Sequence, residues 1–104
     1  MIMNNENRQL FIGRLGKEPE LRYTRNQKPV CYLSVAVNDE EQQKTHWNKV
    51  VVWGKQAELA NQYLRKGSDV FVQGRKSLKE FRTTEGEMKR YEEVSASLIG
   101  FSNL

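Results

Sequence analysis

One cysteine, one histidine and two prolines are all that this 104-residue chain has of those residue types. A lone Cys31 cannot close an internal disulfide, which points to a reducing, cytosolic compartment. His46 has neither a second histidine nor a paired cysteine with which to form a metal set. Long apolar runs are missing as well. Runs such as Val50-Val51-Val52-Trp53 and Val35-Ala36-Val37 are far too short to span a bilayer. The opening Met-Ile-Met-Asn-Asn-Glu-Asn has no basic segment followed by an apolar one, so no signal peptide is expected. There is no Gly-rich phosphate loop, no nucleophile elbow and no Ser/His/Asp set. The densest acidic run, Asp39-Glu40-Glu41, sits beside Gln42 and Gln43 and reads as a solvated loop. Enzyme hypotheses therefore fail on inventory, and no cofactor or metal is expected.

What is present is modest. Lys and Arg number 17 against 13 Asp and Glu, a net charge of +4 that favours an anionic partner without identifying one. The length suits a single domain over residues 1–104. A 38% hydrophobic share is lean for a self-sufficient core, so a second copy of the chain is expected to cover some apolar surface.

The pattern is short β-segments separated by polar turns, with one helix inserted late. A first strand is predicted over 9–14, and the polar connection from Lys17 to Pro29 has room for a short strand around Leu21–Thr24. Over 30–38, Cys31, Leu33, Val35 and Val37 alternate with Tyr32, Ser34, Ala36 and Asn38, the period of a half-buried strand. Asp39 to Thr45 reads as a loop and 46–53 as the third strand. Ala57, Ala60, Tyr63 and Leu64 then share one helical face, Arg65 and Lys66 suit its C-terminus, and Gly67 suits a left-handed stop. A fourth strand is predicted over 69–77. A polar arm from Lys76 to Arg90 turns at Thr84-Glu85-Gly86-Glu87, and a fifth strand over 91–99 sets Glu92, Val94, Ala96 and Leu98 opposite Tyr91, Glu93, Ser95, Ser97 and Ile99. Five strands with a helix between the third and fourth, and a protruding hairpin between the fourth and fifth, match an all-β OB-fold, a Greek-key barrel.

The third strand carries the chemistry. At period two, Trp47, Lys49, Val51 and Trp53 share one face, and His46, Asn48, Val50 and Val52 the other. Two indoles around a lysine make a poor core, because each N–H needs a partner and lysine is rarely buried. Flat π-surfaces and cations are what single-stranded nucleic acid binds, at about 1–3 kcal/mol per stacked base. The hairpin arm repeats this chemistry: Arg75, Lys76, Lys79, Arg82, Lys89 and Arg90 flank Phe81. Arg8, Arg14, Lys17, Arg22, Arg25 and Lys28 form a second basic region near the N-terminus without an accompanying aromatic pattern.

At this point the chain resembles the bacterial single-stranded DNA-binding proteins. The resemblance runs from Asn7-Arg8 through Ile12-Gly13-Arg14-Leu15-Gly16 and Glu18-Pro19-Glu20-Leu21-Arg22-Tyr23-Thr24. It continues in Val35-Ala36-Val37-Asn38, Trp47 to Lys55 and Ala57-Glu58-Leu59-Ala60, and is sharpest in Tyr63-Leu64-Arg65-Lys66-Gly67-Ser68, then Val70 and Gly74. It implies the OB-fold and a non-enzymatic, cytoplasmic protein that binds and protects single strands in DNA replication, recombination or repair. It maps base stacking onto Trp47, Trp53 and Phe81, and phosphate contacts onto Lys49, Lys55 and Lys66, with Lys79 an equivalent in the hairpin. Charge and position add Arg8, Arg14, Arg75, Lys76 and Arg82 as phosphate-contact candidates. One OB-fold per chain implies a homotetramer, with a dimer as the alternative.

Three positions depart from the family pattern. Glu41 stands where a fourth stacking tryptophan is expected, and Asn48 replaces a frequent histidine at a subunit contact. The sequence stops at Phe101-Ser102-Asn103-Leu104, where relatives continue into a flexible tail with an acidic tip. This is either a truncated core or a specialised tailless member, and no tail-mediated recruitment of replication or repair proteins is expected. Two other readings stand beside this one. One is a replication-restart accessory like primosomal replication protein N, and the other an OB-fold module that binds protein and no nucleic acid.

Overall fold

The computed structural model describes residues 7–101. The elements follow in the order β1 (Arg8–Leu15), β2 (Glu20–Tyr23), β3 (Pro29–Asp39), β4 (Lys44–Trp53), α1 (Lys55–Tyr63), β5 (Asp69–Arg82) and β6 (Met88–Phe101). The six strands form one sheet in the order β1-β5-β6-β4-β3-β2, and a further β1–β3 pairing at Arg14↔Ala36 and Leu15↔Val35 closes it into a barrel. All neighbours are antiparallel except β4 and β6, which pair in parallel through Val50↔Val94 and Val51↔Ser95. This is the OB-fold expected from the sequence. The strand beyond the five predicted is the short β2, an edge strand in the polar connection.

The core follows from alternation. Cys31, Leu33 and Val35 from β3, Val50 and Val52 from β4, Val70 and Val72 from β5, and Val94 from β6 point inward and are buried. Each such side chain withdrawn from water contributes about 1.5–3 kcal/mol. Helix α1 closes one end of the barrel with Ala57 and Ala60, and Leu64, just past its last turn, completes the plug.

Several boundaries move. The polar arm is strand almost to its tip, so β5 and β6 run 14 residues each as one long hairpin. The turn closes where Gly86 N–H donates to Thr83 O (3.0 Å) and Thr83 N–H to Glu87 O (2.8 Å). The helix stops at Tyr63, which is exposed with its ring 5.9 Å from that of Phe101 and is not part of the core stripe. Arg65 and Lys66 lie beyond the last turn, yet Arg65 still serves the helix end, donating from Nη1 to the carbonyls of Asn61 (3.1 Å) and Leu64 (2.8 Å). Gly67 takes the expected left-handed conformation, at φ 89°.

The period-two reading of the last strand fails after Ala96. Gln73 pairs with Leu98 but Gly74 with Ala96, leaving Ser97 as an extra residue in a β-bulge. The inserted residue reverses the faces, so Ile99 is buried and Leu98 exposed, opposite to the expectation. Gln56 of α1 clamps the bulge: its Nε2 donates to Ser97 O, and its Oε1 accepts from Ile99 N–H, both at 2.9 Å.

Candidate functional site

Directly opposed residues on antiparallel strands share a face, so the register orders the outer surface of β3 and β4. Its rows are Ala36/Trp47, Ser34/Lys49, Tyr32/Val51 and Val30/Trp53. Trp47 is 63% exposed and Trp53 42%, with Lys49 exposed between them. Val51 shares this face but is buried between its neighbours in the sheet. The Cζ3–Cη2 edge of the Trp47 indole abuts Gly16, where a Cβ would collide with it. The backbone there is pinned by Gly16 N–H donating to Ser34 O (3.0 Å). Trp53 carries the Lys28 ammonium 5.4 Å from its ring centre.

The hairpin extends this surface. Register places Ser77, Lys79 and Phe81 of β5 beside Glu93, Tyr91 and Lys89 of β6 on one face. Through Ser95 that face runs into the Val51 row of β4. Phe81 is 46% exposed, and its ring lies 5.8 Å from that of Tyr91 at 60°. Tyr91 in turn receives the Lys49 ammonium 4.5 Å from its ring centre, joining the hairpin to the β4 face. Trp47, Lys49, Trp53, Lys79 and Phe81 thus lie on one outward surface.

The remaining sequence candidates fall elsewhere. Lys76 and Arg82 lie on the opposite face of the hairpin from Phe81. Lys76 is ion-paired with Glu92 at 3.4 Å, and Arg82 Nη1 donates to Gly86 O at 3.4 Å. Arg8 and Arg75 are register partners, one on each of β1 and β5, in the outward row that passes through Ser95 to Val51. Arg14 shares a row with Ala36 and Trp47 and is paired with Asp69 at 3.3 Å. Lys55 is exposed at the start of α1; Lys66 is exposed after it, its amide donating to Glu18 Oε1 (3.2 Å). Glu41 lies in the exposed β3–β4 turn, where its amide donates to Asp39 Oδ1 (3.1 Å). Asn48 faces inward at the barrel mouth, its Nδ2 directed at Val35 O (3.5 Å). Cys31 is fully buried, and loss of solvation pushes its thiol pKa up to about 11.

A family model described as the single-strand binding protein family matches residues 6–102. The chain belongs to that family. It is therefore a non-enzymatic protein that binds single-stranded DNA, and oligomerisation is typical of such proteins. In this family member, sequence reasoning missed Tyr32 and Tyr91 and left Arg22, Lys28 and Lys89 without a particular role. The signal that could have found them is cross-strand: Tyr91 opposes Lys79, and Tyr32 opposes Val51 one row from each of Lys49 and Trp53.

Proposed function

We propose that this protein captures single-stranded DNA without reading its sequence and protects it during replication, recombination or repair. Cations attract the phosphate backbone, and bases then stack on Trp47, Trp53 and Phe81. The observation that carries this reading is the outward row of exposed indoles around Lys49, continued by the Phe81 face of the hairpin. Every base has a π-face, so such a surface tolerates any sequence. Lys49 and Lys79 stand beside the rings; Lys55, Lys66, Arg8, Arg14 and Arg75 take phosphates as the strand continues around the barrel. Lys76 and Arg82 take part where the strand passes to the other side of the hairpin.

The reading includes a cytoplasmic homotetramer. Its support is a set of exposed apolar side chains on β1 and β6, where Leu10 (67% exposed) and Leu98 flank Gln73 of β5 in one row and Ile12 stands in the next. Patches of this kind mark contact surfaces. Fluorescence anisotropy of a labelled dT oligomer, with duplex of equal length as competitor, tests the function. Tight binding at low salt that duplex displaces poorly is the expected result. Absence of binding would leave the protein-binding OB module as the better account, and equal preference for duplex would overturn the single-strand reading.

A further inference from the structure

Where the Tyr32/Val51 and Ser34/Lys49 rows meet the hairpin lies a groove of about 340 Å³ that is lined by Arg22, Tyr32, Lys49, Tyr91, Glu20 and Glu93 among others. Tyr32 projects outward from β3, 39% exposed, opposite Val51 on one side and Glu20 on the other. The guanidinium of Arg22 lies 5.8 Å from the centre of its ring. Arg22 is held there by Glu20, whose Oε1 accepts from Nε at 3.0 Å and from Nη2 as well. An outward tyrosine beside a valine in mid-sheet has a flat face to offer, and its neighbour is a positioned cation.

Accepting the single-stranded DNA reading above, we infer that Tyr32 and Arg22 form an additional nucleotide seat, Tyr32 stacking a base and Arg22 holding the adjoining phosphate. Charge orients the occupant. Tyr32 offers the groove a flat face, while Lys17, Arg22 and Lys49 outnumber Glu20 and Glu93 around it, and Arg22 holds Glu20 through Nε and Nη2, with Nη1 outside that pair. A nucleotide therefore enters base first and leaves its phosphate on the cations. The seat connects Trp53 to Tyr91 and Phe81, making one continuous path from the barrel face onto the hairpin.

The test compares Tyr32→Leu, Tyr32→Phe and Arg22→Gln with the unmodified protein in dT-oligomer titrations, alongside thermal melts. Tyr32→Leu should weaken binding about five- to one-hundred-fold, with an unchanged melting temperature and salt slope. Tyr32→Phe should bind as the unmodified protein does, and Arg22→Gln should lower the salt slope by roughly 0.7. Photocross-linking of the unmodified protein to oligomers carrying 5-iodouracil provides a readout independent of variant folding, with adducts expected on Tyr32. Full-strength binding by Tyr32→Leu while Trp47→Ala binds weakly, or adducts confined to Trp47, Trp53 and Phe81, would overturn the seat and leave the DNA-binding reading standing. Failure of the unmodified protein to bind dT at all would overturn both.

Discussion

Trp47 can present a ring to solvent because Gly16 beneath it has no side chain. Seating the Cζ3–Cη2 edge of the ring against Gly16 restrains the indole, so less side-chain freedom is lost when a base stacks. Gly16→Val should therefore displace the indole and weaken binding of a dT oligomer by about 1–3 kcal/mol, as Trp47→Ala does. The double variant should lose little more than either single one, because both act on one ring; full additivity in the same titration would show that Gly16 acts elsewhere. The proposed role of Trp47 was legible in the sequence, since a Trp-x-Lys-x-x-x-Trp alternation is poor material for a core. Tyr32 was not. It alternates with core residues as any half-buried strand residue does, and the cation that marks it comes from a different strand.

At the scale of elements, the β5–β6 hairpin sorts a basic arm into two unlike faces. Phe81, Tyr91, Lys79 and Lys89 share one, while the other holds Leu78, Met88 and the ion pairs Lys76–Glu92 and Glu80–Arg90 (3.0 Å). Among the described residues Lys79 and Lys89 hold no ion pair that a phosphate would break, whereas Lys76 must leave Glu92. Replacing Lys79 and Lys89 with Gln should lower the salt slope of binding by roughly 0.7 for each phosphate that is no longer neutralised. The same replacement at Lys76 and Arg82 should change it less, and the reverse order would contradict the assignment of faces. A linear run of charges gave no sign of this division, because it depends on register. The bulge at Ser97 was equally hidden, since strict alternation has no place for one extra residue. Gln56 holds that bulge with two hydrogen bonds, and Gln56→Ala should destabilise the protein by roughly 1–3 kcal/mol in a urea melt. A change within a few tenths of a kcal/mol would mean that the bulge holds itself.

For the molecule as a whole, the outer surface of the barrel is of two kinds. Strands β3 and β4 with the Phe81 face present rings and cations, while β1 and β6 present Leu10, Ile12 and Leu98 to solvent. The lean hydrophobic share of the sequence anticipated an uncovered apolar surface; which strands carry it followed only from the closed barrel and the bulge that turns Leu98 outward. Ile12→Lys should lower the mass measured in solution by placing a charge within that surface, and an unchanged mass would move the subunit contact elsewhere. The central claim concerns the other surface. Titration of intrinsic tryptophan emission with poly(dT) at low salt reads the two indoles themselves. Stacking predicts strong, saturable quenching that recedes as salt rises and is diminished in Trp47→Ala and Trp53→Ala. Emission that stays constant as poly(dT) is added would contradict it.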